Sequence, residues 1–173
     1  SVFVGIYYDE DGRIPLLRCV QQIERQLAEQ ERPRGYLPID GLPAYVQATQ
    51  RLLFGEDSPL LAAGRVATLQ TVGGSGALRV GADLLKKLLP KAKLALSHPS
   101  WENHQAVFSA AGFEVSDYAY FDPATHGVDF AGMLADLGKL EPGTVVLLHA
   151  CCHNPTGAAD RAVLRQHAGA GVL

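Results

Sequence analysis

The sequence predicts an α/β protein built on a layered sheet, and three observations carry that prediction. From about residue 65 onward, short apolar strand-like runs alternate with helical patterns of the length found in α/β units. Leu78, Ala82, Leu85 and Leu89 recur at steps of four, three and four, which gives one helix an apolar face. Three loops rich in Gly, His, Asn and Pro, namely 73–76, 98–104 and 153–157, each follow a strand-like run. In open α/β sheets ligands gather outside the carboxyl ends of the strands, so these loops are expected to converge there.

Taken in order, residues 2–8 read as a short strand that ends in the turn Asp9-Glu-Asp-Gly12. Pro15 to about Gln30 reads as a helix, with Leu16, Val20, Ile23 and Leu27 on one face. Residues 32–43 hold too many prolines for a regular element. A second helix is expected over Pro43–Phe54, closed by Gly55. Arg65–Thr71 is strand-like and leads into a glycine turn and the Leu78 helix. A strand over Lys91–Ser97, a helix from the 98–104 loop to about Ala111 and a strand over Phe113–Phe121 follow. Asp129 is the expected N-cap of a helix reaching Leu140. The dense apolar run Val145-Val-Leu-Leu148 makes Gly143–Cys151 the last strand.

Composition narrows the function classes. A chain of 173 residues is one domain's worth or part of a larger protein, and its 47% apolar and 19% charged content is that of a globular protein. The net charge of −3 gives no electrostatic reason to expect nucleic acid or an acidic membrane as partner. No run of about 18 apolar residues suggests a membrane span, and the N-terminus lacks a signal peptide's basic-then-apolar order. Three cysteines do not form a disulfide framework, so a reducing cytoplasm is the expected compartment. Cys151 and Cys152 are expected to be small buried thiols. The only methionine is Met133, so the chain is expected to begin inside a longer gene product.

The glycine turn 73–76 suits an anion. Gly73, Gly74 and Gly76 allow close backbone approach, Ser75 offers a hydroxyl, and the first N–H groups of the helix lack intrahelical partners. The same pattern also marks a plain strand-to-helix connection. It is not a P-loop, because no Gly-Lys-Ser/Thr follows. The dinucleotide fingerprint fails as well, since its third glycine would fall on Arg79. Trp101 offers a flat ring for stacking on a planar ligand, against the plainer role of capping the core. Asn103, His104 and Asn154 add hydrogen-bonding groups. His149, Cys151 and His153 alternate, so an extended backbone would place all three on one face as a zinc half-site; buried, hydrogen-bonded histidines are the plainer alternative.

These loops together carry a resemblance. Val4-Gly-Ile-Tyr-Tyr-Asp9, Tyr36-Leu-Pro-Ile-Asp-Gly41, Gly74-Ser-Gly-Ala77, Pro99-Ser-Trp-Glu-Asn-His104 and His149-Ala-Cys-Cys-His-Asn-Pro-Thr-Gly157 stand in the order of the class I, fold-type I aminotransferases that use pyridoxal phosphate. The subgroup the chain resembles is aspartate and aromatic amino acid aminotransferase. The resemblance implies a three-layer α/β/α sheet of the pyridoxal-phosphate-dependent transferase type, with about the first half of its large domain here. It further implies that residues 1–42 belong to the small domain or interdomain connection, and 43–173 to the cofactor-binding large domain.

The resemblance also implies roles. Ser75, Gly76 and Ala77 would hold the cofactor phosphate, Trp101 would stack on the pyridine ring, and Asn154 would bond the phenolic oxygen and help position the substrate carboxylate. His104 would lie behind the ring and Gly5 would line the substrate pocket. Tyr36 would reach the phosphate of a neighbouring subunit in a homodimer. The implied substrates are an amino acid and a 2-oxo acid. No catalytic residue is assigned: the family's Schiff-base lysine matches none of Lys86, Lys87, Lys91, Lys93 or Lys139. The tail after Gly157 departs from the family pattern, and a truncated or frame-shifted reading frame is the expected cause. The chain alone is accordingly expected not to turn over; the alternative functions are a non-catalytic module that binds pyridoxal phosphate or phosphate and, behind it, a zinc-binding domain through His149, Cys151 and His153.

Overall fold

The computed structural model describes residues 6–33 and 35–158. They fall into two compact units that divide between Gln70 and Thr71.

The first unit holds three helices, α1 (Arg18–Glu29), α2 (Pro43–Phe54) and α3 (Pro59–Ala62). Helix α1 starts three residues later than its apolar spacing suggested, and none of its residues is buried. The expected α2 boundaries hold: Pro43 supplies the preset φ of a first turn, and Gly55, at φ 88°, donates its N–H to the Arg51 carbonyl. The turn after Tyr8 closes as expected, with Gly12 N–H bonding Asp9 O. The expected strand over 2–8 does not form across Ile6–Tyr8, and residues 1–5 lie outside the described residues.

Arg65–Thr71, expected as a strand, pairs with no strand among the described residues. It is held by isolated bonds instead. Gln50 Nε2 donates to Val66 O and to Thr68 Oγ1, and Gln70 N–H reaches Asp40 O. The Gln70 side chain in turn accepts from Leu42 N–H at 2.9 Å. Gly41 sits directly against Gln70 at φ 96°, where any Cβ would collide. A strand needs a run of neighbouring backbone, and here one side-chain amide at Val66 O and one isolated backbone bond at Gln70 stand in its place.

The second unit contains the sheet. Strands β1 (Leu94–His98), β2 (Val115–Ala119) and β5 (Val145–Val146) run parallel in the order β2-β1-β5. Leu94 faces Val115 on one side and Val145 on the other. A short antiparallel pair, β3 (Phe121–Asp122) with β4 (Gly127–Val128), leads into helix α6 (Phe130–Leu137). Helices α4 (Gly73–Leu88) and α5 (Glu102–Ala110) complete the unit.

The side-chain alternation of β1 sorts the core into two faces. Leu94 and Leu96 pack with Ala82 of α4 and with Phe108 and Phe113, while Ala95 packs with Tyr118, Tyr120 and Met133 of α6. Helices therefore cover both faces of a parallel sheet, which is the expected three-layer α/β/α arrangement. Asp129 caps α6 by accepting from Gly132 N–H at 2.9 Å, as its position predicted. The last strand is much shorter than expected. After Leu147 N–H bonds Ala95 O, the ladder ends and the chain bends through residues 150–152. No described helix is long and apolar enough to cross a membrane.

Candidate active site

Strands β1 and β5 are parallel neighbours, with Ala95 opposite Val146, and the segments that continue from their carboxyl ends carry most of the chemistry. The loop after β1 turns through His98–Pro99, a cis peptide, and delivers Trp101 to the N-cap of α5. One turn into α5, His104 is buried, with its ring edge-on to Trp101 at 5.3 Å. Its Nδ1 lies 2.9 Å from Ser100 Oγ. The His104 ring also meets His149, which leaves β5, at 4.9 Å. His149 in turn meets His153 at 4.3 Å.

His153 is the most firmly held of the three histidines. It is 2% exposed and stacks on Tyr120 at 4.1 Å. Its Nε2 lies 2.8 Å from Ser97 Oγ of β1, and its Nδ1 lies 2.8 Å from Thr156 Oγ1. Its carbonyl accepts from Gly157 N–H, which closes the turn that presents Asn154 to the surface. Burial lowers the pKa of all three histidines, because a charged ring loses more hydration than a neutral one. His153 falls furthest, to about 4, through burial first and the nearby His149 and His104 second. Three adjoining imidazoles therefore stay neutral at ordinary pH.

His149 stands apart in one respect: both its ring nitrogens are buried without a hydrogen-bond partner. The alternation of residues 149, 151 and 153 marks it only as a metal ligand. Its place beside the α5 histidine follows from where β5 ends and how α5 packs, and no spacing in the sequence signals it.

The structure overturns the zinc reading. The bend at 150–152 breaks the extended backbone on which it relied, and Cys152 adopts a φ of 50°. Cys151 is exposed, while both ring nitrogens of His153 already face hydroxyls. No group of three or more His, Cys, Asp or Glu able to hold a metal occurs among the described residues. The expectation that Cys151 and Cys152 are buried also fails. The short β5 ends before them, so neither lies against the sheet, and both are exposed.

The glycine segment differs from its expected form as well. Helix α4 already begins at Gly73, so Gly74, Ser75, Gly76 and Ala77 form its first turn instead of a preceding loop. The N-cap, Val72, contributes no side-chain hydrogen bond. A Cβ on Gly73 or Gly74 would meet nothing within 4 Å, so the space at this helix start is open. Helix α4 packs on the same sheet face as α5, through Leu78, Ala82 and Leu85. Ser75 and Trp101 thus stand on neighbouring helices. Tyr36 belongs to the first unit and is fully exposed there. Gly5 lies outside the described residues. Trp101 also borders a cleft of about 550 Å³ with His98, Gln105 and Asp117, and neither Ser75 nor Asn154 lines it.

A family model for aminotransferase class I and II matches residues 3–164. The chain belongs to this family. Over 154 residues it is 62% identical to the aspartate aminotransferase of Pseudomonas aeruginosa, covering 89% of this chain and 39% of that protein. It is 54% identical over 161 residues to the aromatic-amino-acid aminotransferase of Escherichia coli, covering 91% and 40%. Among solved structures, an aromatic-amino-acid aminotransferase from Burkholderia pseudomallei covalently bound to pyridoxal phosphate superposes with a TM-score of 0.90 at 58% identity. That superposition covers 97% of this chain and 42% of the other. The chain spans about 40% of the length of the curated relatives it matches.

Proposed function

We propose that this chain is the cofactor-cradling part of an amino acid:2-oxo acid aminotransferase that uses pyridoxal phosphate, with aspartate or an aromatic amino acid as donor. The observation that carries the reading is the continuous run of contacts Trp101–His104–His149–His153, with Asn154 next in sequence, at the carboxyl end of the sheet. The uncapped, unfilled start of α4 supports it, and so does the unmet hydrogen-bonding capacity of the buried ring nitrogens of half-buried His149.

The residues fit such a group. Ser75 Oγ and the unpaired N–H groups of the first turn hold its phosphate, aided by the helix dipole at this end; Gly76, whose N–H is given to Val72 O, and Ala77 line the seat. Trp101 gives a stacking face, Asn154 bonds the ring oxygen and positions the substrate carboxylate, and neutral His104 backs the ring without adding charge. Gly5 lines the substrate pocket in this reading. Tyr36, exposed in its own unit, reaches the phosphate of a second subunit in a homodimer. When bound, pyridoxal phosphate supplies the electron sink for amino-group transfer.

The five lysines bear on turnover. Lys86, Lys87 and Lys91 lie in the last turn of α4 or just after it. Lys93 precedes β1 and pairs with Glu141, and Lys139 follows α6 and pairs with Asp136. All five sit toward the amino ends of the strands, opposite the site. The 173 residues by themselves therefore bind without turning over. We assign residues 1–42 to the small domain or interdomain connection and 43–173 to the cofactor-binding large domain, in a cytoplasmic enzyme.

Titrating the purified chain with pyridoxal phosphate, followed by Trp101 fluorescence, tests the reading. The expected result is quenching that inorganic phosphate competes away, weakened roughly tenfold in Ser75→Ala, about the value of one charge-assisted hydrogen bond. Quenching that phosphate leaves unchanged, with equal affinity in the variant, would overturn the placement of the phosphate at α4.

A further inference from the structure

The adjacent thiols Cys151 and Cys152 take no part in the proposed site, yet they occupy a singular place beside it. They form the bend between His149 and His153, and both are exposed. Cys152 holds φ at 50°, a left-handed backbone that costs a side-chain-bearing residue about 1–3 kcal/mol. The residues on either side are anchored. His149 is wedged between the rings of His104 and His153, and His153 is fixed to Ser97 and Thr156.

We propose that Cys151 and Cys152 are a redox modification site, closed into a disulfide between neighbouring residues by exchange with a small-molecule disulfide of the glutathione class. One cysteine thiolate attacks the external disulfide, forming a mixed disulfide and releasing one external thiolate. The neighbouring thiolate then attacks the cysteine sulfur of that mixed disulfide, which closes the ring and expels the second external thiolate. The two cysteines lose two protons and two electrons, and the external disulfide takes up both electrons as it becomes two thiols.

Geometry decides what kind of bond this is. Adjacent Cα atoms stand about 3.8 Å apart across a trans peptide, below the roughly 4.4–6.8 Å that an unstrained disulfide spans. The ring is therefore strained and readily reduced, which is the character of a labile, regulatory disulfide and not of a structural one. It stays open in a strongly reducing thiol pool and closes when oxidised thiol accumulates. Because His149 and His153 anchor the two sides of the bend, closing the ring loads their ring contacts and the turn that presents Asn154. The site stands on the geometry of this bend and does not depend on the cofactor reading.

Cys19, a single exposed cysteine on α1, is the internal comparison. The reduced 173-residue chain is treated with excess oxidised glutathione, quenched in acid and mapped by peptide mass. The 151–152 peptide is expected to lose the mass of two hydrogens without retaining glutathione, and to recover with dithiothreitol. Cys19 is expected to keep a glutathione adduct, and Cys151→Ser is expected to leave a persistent adduct on Cys152. A persistent adduct on Cys151 or Cys152 of the unsubstituted chain would overturn ring closure, as would an unmodified pair beside a modified Cys19. Ring-proton NMR of the oxidised chain should show His149 and His153 signals shifted and those of exposed His126 unmoved. Unshifted His153 signals in a chain with the ring closed would overturn the link to the Asn154 turn.

Discussion

The two units of this chain use similar amounts of apolar sequence very differently. Helix α1 has the clearer amphipathic pattern, yet Val20, Ile23 and Leu27 are each about half exposed and no residue of α1, α2 or α3 is buried. In the second unit, Leu94, Ala95 and Leu96 are almost completely buried, because helices cover β1 from both faces. Periodicity tells which face of a helix could be covered. Only a neighbouring element covers it. Fully burying an aliphatic side chain is worth about 1.5–3 kcal/mol, so the two units differ sharply in what each residue contributes to stability.

The sharpest way to break this comparison is to truncate one residue in each unit. Leu96→Ala is expected to cost about 2–5 kcal/mol through lost burial and the cavity it leaves. Ile23→Ala on α1 should stay within about 0.5 kcal/mol. Urea unfolding followed by near-ultraviolet dichroism checks both, and equal effects would refute the contrast.

Next comes pH. The folded pKa of His153, about 4, lies below its ordinary value near 6.5, so folding favours the neutral ring. The stability from this group is fully present above about pH 6.5 and falls as pH drops from there toward 4. Midpoints of urea unfolding measured across that window should decline, and His153→Gln should flatten the decline. A profile unchanged by the substitution would assign the dependence elsewhere.

A smaller effect is expected at Ser97→Ala. It leaves the buried Nε2 of His153 without its hydroxyl, at about 1–3 kcal/mol. Thermal unfolding should register it, and a loss below the lower figure would mean that water replaces the hydroxyl. The smallest is Asp129→Ala, which removes the only side chain seen to cap a described helix and should cost about 1 kcal/mol. Its thermal midpoint should fall less than that of Ser97→Ala.

Much of the fold is legible in the order of residues. Asp129 and Gly55 mark their helix ends by local chemistry that needs no distant partner, and both act as expected. The loops 98–104 and 153–157 do follow the carboxyl ends of β1 and β5, whereas 73–76 turns out to be the start of a helix. The site is legible as a set of residues and much less as an arrangement. His149 and His153 are visible as histidines near a strand end, but their ring contacts with each other and with His104 depend on where β5 stops and on α5 packing over β1. The exposure of Cys151 and Cys152 follows from the same early end of the ladder.

What the sequence by itself determined is therefore what short-range physics can fix: helix caps, turn glycines, the apolar alternation of β1 and the family to which the motifs belong. Tertiary structure alone decided which apolar faces are covered, which extended run becomes a strand, and which histidines become neighbours. Arg65–Thr71 and Lys91–Ser97 both read as strands, and only the second, realised as Leu94–His98, has parallel neighbours on both sides. A strand's hydrogen bonds belong to another segment of backbone, and no local pattern reveals whether that segment will be there.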